Sequence, residues 1–369
     1  MGAETVSLFL CGDVMLGRGV DQILPHRLDP AIPEQYVRDA RDYVALAEAA
    51  HGAVPRGGGF GYPWGEALAL LDAAAPHARI VNLETAVTEH DRFAPGKAVH
   101  YRMHPANVPA LAVARPDVCV LANNHVLDYG RQGLADTLDA LAGAGLPAVG
   151  AGGDLREAGA PVVLRPRPGV RLSVFGLATT SSGVPRDWAA TARRSGVHLA
   201  GDMSVPRLLA AVEDRKRAGD LVVVSVHMGS NWGYPPSRSD RELAHALVDA
   251  GADLVHGHSS HHPRPLEVHG GRLILHGCGD LVSDYEGIGG QEHYRDDLRL
   301  LYFAELDPRD GRFRQLRMIP LRSRRLRLER APEFDVLWLH GVLDRISRPY
   351  GIRVDHTDDP APLLARPAP

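Results

Sequence analysis

The sequence predicts an α/β fold, and three observations carry that prediction. Short apolar, β-branched runs recur at 6–11, 79–82, 117–121, 161–164, 172–176, 221–226, 253–256 and 273–275. Stretches with apolar residues at helical spacing lie between them at 132–143, 205–218 and 238–250. Strand and helix in alternation read as βαβ units around a buried, largely parallel sheet. The third observation is that five of the apolar runs end in Asp, Glu, Asn or His, which in an open α/β sheet is where ligands bind.

Taken in order, the first run passes into Gly12-Asp13 and the second into Asn82-Leu83-Glu84. The third passes into Asn123-Asn124-His125, the strand at 221–226 into His227, and the strand at 253–256 into Gly257-His258-Ser259-Ser260-His261-His262. Near the C-terminus two runs, 298–306 and 313–320, flank Asp310-Gly311, a hairpin signal. The segment 24–65 breaks the rhythm with Gly57-Gly58-Gly59, Phe60, Tyr62 and Trp64, and reads either as a lid over a site or as a surface loop pinned by its own aromatics. The expected organisation is one main α/β domain over 1–330, with 24–65 as an insertion, a helical extension over 331–354 and a disordered, Pro-rich tail over 355–369.

Composition narrows the function. The chain has 369 residues, 44% hydrophobic and 23% charged, with a formal net charge of -4. That is a globular chain without the basic excess of a nucleic-acid binder. Of 41 basic residues only Lys97 and Lys216 are lysine, a skew that reads as genome composition. Cys11, Cys119 and Cys278 cannot all pair and lie in or beside apolar runs, so a reduced, cytoplasmic setting is expected. No run approaches the roughly 20 apolar residues of a membrane span, and no signal peptide is legible. Gly150-Ala151-Gly152-Gly153 lacks a following P-loop Lys, and no Rossmann fingerprint follows Cys11, so no nucleotide cofactor is expected.

Hard oxygen donors mixed with imidazoles, and no cysteine placed as a ligand, suit a divalent cation (Mn²⁺, Fe²⁺, Zn²⁺ or Ca²⁺) in an open site. His125 with Asp128, and one of His258, His261 or His293 with Asp280, Asp296 or Asp297, supply two acid/base pairs. These pairs suit hydrolysis of an amide or phosphoester, or proton transfer at a Cα. The aromatics Phe60, Tyr62 and Trp64, with Trp232, read either as substrate contacts or as packing residues.

The order of motifs resembles the CapA-like, capsule and poly-γ-glutamate branch of the calcineurin-like metallophosphoesterase superfamily. The resemblance rests on Gly12-Asp13-Val14-Met15, Asn82-Leu83-Glu84, Asn123-Asn124-His125, His227 and Gly257-His258-Ser259-Ser260-His261, and extends through Gly279-Asp280 to Tyr294-Arg295-Asp296-Asp297. It covers roughly residues 5–330. It implies a four-layer α/β/β/α sandwich, with Asp13, Glu84, Asn124, His227, His258 and His261 drawn from the positions of metal ligands and His125 from that of the acid/base histidine. Met15 stands where the superfamily usually has a ligand His, so one metal position loses a donor. The branch includes lasso-peptide epimerases, and the resemblance makes a metal-dependent peptide epimerase the first expectation: inversion of a Cα by His125, Asp128, His261 and Asp297 on a peptide substrate, with no nucleic acid or membrane partner. The second is a metallohydrolase of an amide or phosphoester bond, as in capsule polyglutamate metabolism. A third class, non-catalytic polymer handling, is implied only by the family resemblance.

Overall fold

The computed structural model describes residues 5–358 and 362–368. Two large sheets dominate. In the first the strands run in the order Ile352–His356, Leu363–Pro367, Phe313–Ser323, Leu298–Leu306, Val6–Val14, Ala78–Leu83, Val118–Val120, Ala148–Val149. From Val6–Val14 to Ala148–Val149 the pairing is parallel, and from Val6–Val14 to Ile352–His356 it is antiparallel. In the second sheet the order is Leu266–His269, Arg272–Leu275, Leu254–His258, Leu221–His227, Val170–Ala178, Val162–Arg167, with a parallel centre and antiparallel edges.

The second sheet is buried on both faces, and its strands show why they read as unbroken apolar runs. Leu221, Val223, Leu254, Leu273 and Leu275 join the large core that also holds the first sheet. Their alternates Val222, Val224, Val226, Val255 and Ile274 join a second core with Leu208, Val212, Ala244 and Leu247. Those last four lie on the helices Ser204–Arg217 and Arg238–Asp249. Because side chains alternate along a strand, Ser225 and His227 continue the face toward the first sheet, so polar atoms emerge at one end of the inter-sheet core.

Register supplies the next constraint. Leu298–Leu306 pairs with Val6–Val14 only from Val6 to Leu10. Beyond that point Asp280–Val282 takes its place in parallel, setting Asp13 opposite Asp280. The approach is close enough to require glycine: a Cβ on Gly12 would lie 1.6 Å from the Gly279 carbonyl oxygen.

Two expectations need correction. The tail is not disordered over its described part: Leu363–Pro367 pairs with Leu316–Met318 and with Ile352–His356. Leu363 and Ala365 are buried, a two-residue alternation that the proline-rich composition conceals; residues 359–361 and 369 lie outside the described residues. Before it, Glu333–Ser347 is a helix that buries Val336, Leu339, Val342 and Leu343. The 24–65 segment, read as a lid, is packed down. It includes the helix Arg41–His51 and, with Ile23 just before it, contributes to a small core of Ile23, Val44, Ala47, Val54 and Leu326. Glu34 is held by the buried Arg18 at 3.0 Å.

The aromatics of that segment are packing residues, contrary to their reading as substrate contacts. Trp64 is fully buried and its Nε1 donates to the Ala110 carbonyl at 2.6 Å. The Tyr62 hydroxyl donates to the Arg325 carbonyl at 2.9 Å, and Phe60 packs against the large core. Among the described residues no helix is long and apolar enough to cross a membrane.

Trp64→Ala should therefore cost about 3–5 kcal/mol of stability, read as a lower urea midpoint; an unchanged midpoint would return Trp64 to the surface. Gly12→Ala should cost about 1–3 kcal/mol through overpacking and weaken the pairing of Asp280 with Asp13, visible as faster amide exchange at Val282.

Candidate metal centre

Parallel strands end on the same edge, so the register delivers the polar residues together. Asp13 is the next-to-last residue of the first strand, Glu84 follows Ala78–Leu83, and Asn124 and His125 lie in the loop after Val118–Val120. His227 and His258 are the last residues of adjacent strands and register partners. One ligand atom from each of Asp13, His227 and His258 lies within 4.8 Å of the others, and all three residues are buried.

The remaining contacts orient that triad. His227 Nδ1 lies 2.8 Å from His258 Nδ1, and its Nε2 lies 3.0 Å from Asn124 Oδ1 and 3.7 Å from Glu84 Oε1. His258 Nε2 contacts Ser225 Oγ at 2.9 Å, which leaves Nδ1 facing Asp13 at 3.8 Å. Ser225 is held in turn by His256, whose other nitrogen meets the Cys11 carbonyl at 2.7 Å. The Asn82 amide donates to Asp13 Oδ1 at 2.8 Å, and the Ser259 N–H to Oδ2 at 3.2 Å. Orienting partners of this kind are what a ligand set requires.

The electrostatics follow from burial. Burial, then the neighbouring Asp280 charge, pushes Asp13 up to about 7. Burial, then Asp13, pushes Glu84 well above the usual carboxylate range. Burial holds His227 and His258 well below the ordinary imidazole value, with nearby histidines adding to it. Neutral imidazoles beside crowded carboxylates are the donor set a divalent cation takes. Asp280 Oδ2, buried and without a hydrogen-bond partner, adds a further oxygen beside it, 3.9 Å from the Arg299 guanidinium.

Two His/Asp pairs flank this cluster. His125 Nδ1 bonds Asp128 Oδ2 at 2.6 Å, and its Nε2 points toward Glu84 Oε1 at 3.8 Å. Burial pushes His125 down to about 4, ahead of the opposing pull of Asp128. Asp128 itself resists burial: His125 and Lys97 hold it below the usual carboxylate range. The Tyr101 N–H also donates to Asp128 Oδ2, at 2.6 Å. On the other flank His261 Nδ1 bonds Asp280 Oδ1 at 2.9 Å. Burial works against the charged ring there, but Asp280 wins and raises His261 above its ordinary value. The Trp232 ring sits 5.4 Å from His261 and stacks on Tyr294.

Of the residues singled out in the sequence, the structure gathers Asp13, Glu84, Asn124, His125, Asp128, His227, His258, His261 and Trp232. It does not gather Phe60, Tyr62 and Trp64, nor Asp297. The Asp297 carboxylate is taken by Arg295 at 2.7 and 2.8 Å, and Asp280 is the partner His261 has. Met15 is fully buried, so no imidazole stands there. Sequence reasoning misses the supporting roles of Asn82 and Ser225, and it misses Lys97, which donates to Asp128 and to the Asn124 carbonyl. The rarity of lysine is the signal that could have found the last.

Residues 7–285 match the family model described as bacterial capsule synthesis protein PGA_cap. The chain is 52% identical over 355 residues to a "Probable polyglutamine synthesis accessory protein" of Mycobacterium tuberculosis, covering 95% of this chain and 93% of that one. It is 29% identical over 285 residues to the PGA biosynthesis protein CapA of Bacillus subtilis, covering 76% of this chain and 64% of that one. To the capsule biosynthesis protein CapA of Bacillus anthracis it is 32% identical over 188 residues, covering 51% and 45% respectively. These relatives overturn the peptide-epimerase expectation and, with it, a place in lasso-peptide biosynthesis, since their names describe polyglutamine, PGA and capsule synthesis. The physical reason for the misreading is that a His/Asp pair moves protons equally well in hydrolysis and at carbon, so the inventory of such pairs cannot choose between them. With its matched span and its relatives, the chain belongs to the bacterial capsule synthesis protein PGA_cap family, a family of the metallophosphoesterase type.

Proposed function

We propose that this chain is a metal-dependent hydrolase that cleaves an amide bond in a glutamate-type capsule polymer, an accessory step to its synthesis. The observation that carries the reading is the convergence of Asp13, His227 and His258 within 4.8 Å, beside a histidine whose Nδ1 is committed to Asp128. Asp13, Asn124, His227 and His258 would hold a divalent cation of the Mn²⁺, Fe²⁺, Zn²⁺ or Ca²⁺ class, with Glu84 at its side. Bound there, the cation supplies Lewis acidity at the scissile carbonyl.

The chain's own residues do the rest. His125, with Asp128 fixing the Nδ1–H tautomer, presents the Nε2 lone pair, takes a proton from the attacking water and passes it to the departing amine, so that the water's hydroxyl ends on the acyl carbon and its proton on the amine. Asn82 and Ser225 keep Asp13 and His258 aimed inward. Trp232 and Tyr294 form an aromatic wall next to His261 against which the polymer backbone rests. An amide is favoured over a phosphoester for two reasons. Met15 removes a donor that a two-metal clamp on a phosphoryl group would use, and the relatives are named for polyglutamine and PGA synthesis. The finer description of the fold, a four-layer α/β/β/α sandwich, belongs to the same proposal and is supported by two sheets that share one core.

The test is incubation with polyglutamate and a divalent metal while new amino groups are counted. Metal-dependent chain shortening supports the reading, and intact polymer under every metal tried defeats it. His125→Ala should lower kcat by about 10²–10⁴-fold with the melting temperature unchanged; turnover near wild type would remove His125 from the mechanism. Exhaustive chelation should abolish turnover and readdition of one divalent metal restore it, whereas full activity in metal-free protein, checked by elemental analysis, would exclude the cation.

A further inference from the structure

We infer that Lys97 is a positioning residue that holds the ligand Asn124 and the acid/base pair His125–Asp128 as one rigid unit, and that a guanidinium cannot replace its ammonium. The inference rests on the metal-centre reading above, but not on which bond is cleaved.

The Asn123–Asp128 stretch carries three of the site's polar groups without belonging to a strand or helix. It is held from inside by Asn123, whose Oδ1 accepts the N–H groups of His125 and Val126 at 3.1 and 3.0 Å. The Asn123 Nδ2 donates to Asn82 Oδ1 at 3.1 Å and to the Leu83 carbonyl at 2.8 Å. From outside it is wrapped by the irregular segment 94–101. The Ala94 N–H donates to the Asp128 carbonyl at 2.7 Å, and the Tyr101 N–H to the Asp128 carboxylate at 2.6 Å. Between these two, Lys97 Nζ donates to both Asp128 Oδ1 and the Asn124 carbonyl. It also lies 3.3 Å from His125 Nδ1, whose proton the Asp128 bond already employs.

This placement matters most for Asn124. Its carboxamide has one side-chain partner among the described residues, His227, so its direction is set by its backbone. Lys97 holds that backbone at the carbonyl. The same ammonium neutralises Asp128, which is fully buried, while the Lys97 side chain is 12% exposed. The face of Trp188 covers it at 4.9 Å. A point donor serves two acceptors that diverge from one spot. A guanidinium is a flat fork that matches a single carboxylate, and its larger head meets Trp188. Composition points the same way: in a chain that writes nearly every cation as arginine, both lysines end on a fully buried aspartate, Lys97 on Asp128 and Lys216 on Asp253.

The experiment titrates metal-free wild type, Lys97→Met and Lys97→Arg with Mn²⁺ by calorimetry, and measures kcat and KM on polyglutamate. Both variants should bind Mn²⁺ about 10–100-fold more weakly. Lys97→Arg should lose kcat by a similar factor, with KM and melting temperature close to wild type. Wild-type Mn²⁺ affinity in Lys97→Arg overturns the inference, whatever its activity. If Lys97→Met does not fold, Lys97→Arg alone decides. Weakened Mn²⁺ binding with no hydrolysis by any form upholds the role of Lys97 while defeating the hydrolase reading.

Discussion

Asp13, Glu84 and Asp280 press three carboxylates into one dry corner between two sheets. Like charges in a poorly solvated space repel, and burial penalises each further. The protein supplies partial relief through the Asn82 amide on Asp13 and His261 on Asp280. The Ser259 N–H on Asp13 and the Arg299 guanidinium 3.9 Å from Asp280 add to it, so three acids share two neutral donors, one imidazole and one guanidinium held off at a distance. A divalent cation held by Asp13, His227 and His258 would complete that compensation. Much of the surrounding framework exists to keep these groups from swinging apart.

That framework is a consequence of pairing more than of packing. The second sheet sends every other side chain toward the first, so the residues that continue Leu221 and Val223 are Ser225 and His227. In the first sheet, the antiparallel partner of Val6–Val14 stops at Leu10, and the short Asp280–Val282 strand occupies the vacated edge. One-residue slips in either register would turn these side chains to the opposite face. The cores on both sides of the second sheet resist such slips, since a slip would also turn Val222, Val224 and Val226 out of the helix-side core and drive Ser225 and His227 into it.

Much of this was legible in the residues. Strands ending in Asp13, Asn124, His227 and His258 announced a shared edge because parallel strands leave no other place for their last residues. What escaped was longer-range. Asp297 and Asp280 look alike in sequence as partners for His261, and only pairing with the first strand selects Asp280. Phe60, Tyr62 and Trp64 sit among glycines like residues of a mobile loop. A small core around Val44 and the Arg18–Glu34 ion pair bind that segment down, and neither leaves a periodic trace. The final strand hides in a proline-rich stretch because its alternation spans just Leu363 and Ala365. The choice between hydrolysis and epimerisation was never encoded in the inventory of histidines and aspartates.

The closing strands carry a consequence for solubility. Without Leu363–Pro367, the long Phe313–Ser323 strand would offer a row of unsatisfied amides and carbonyls to any neighbouring molecule. The chain instead seals that row with its own last segment, and the outermost strand, Ile352–His356, ends the sheet with an Arg353–Asp355 ion pair at 2.7 Å. A charged, hydrated border of this sort discourages strand-by-strand aggregation. Preparations clipped before Ile352 would consequently be prone to self-association, even with the candidate metal centre intact.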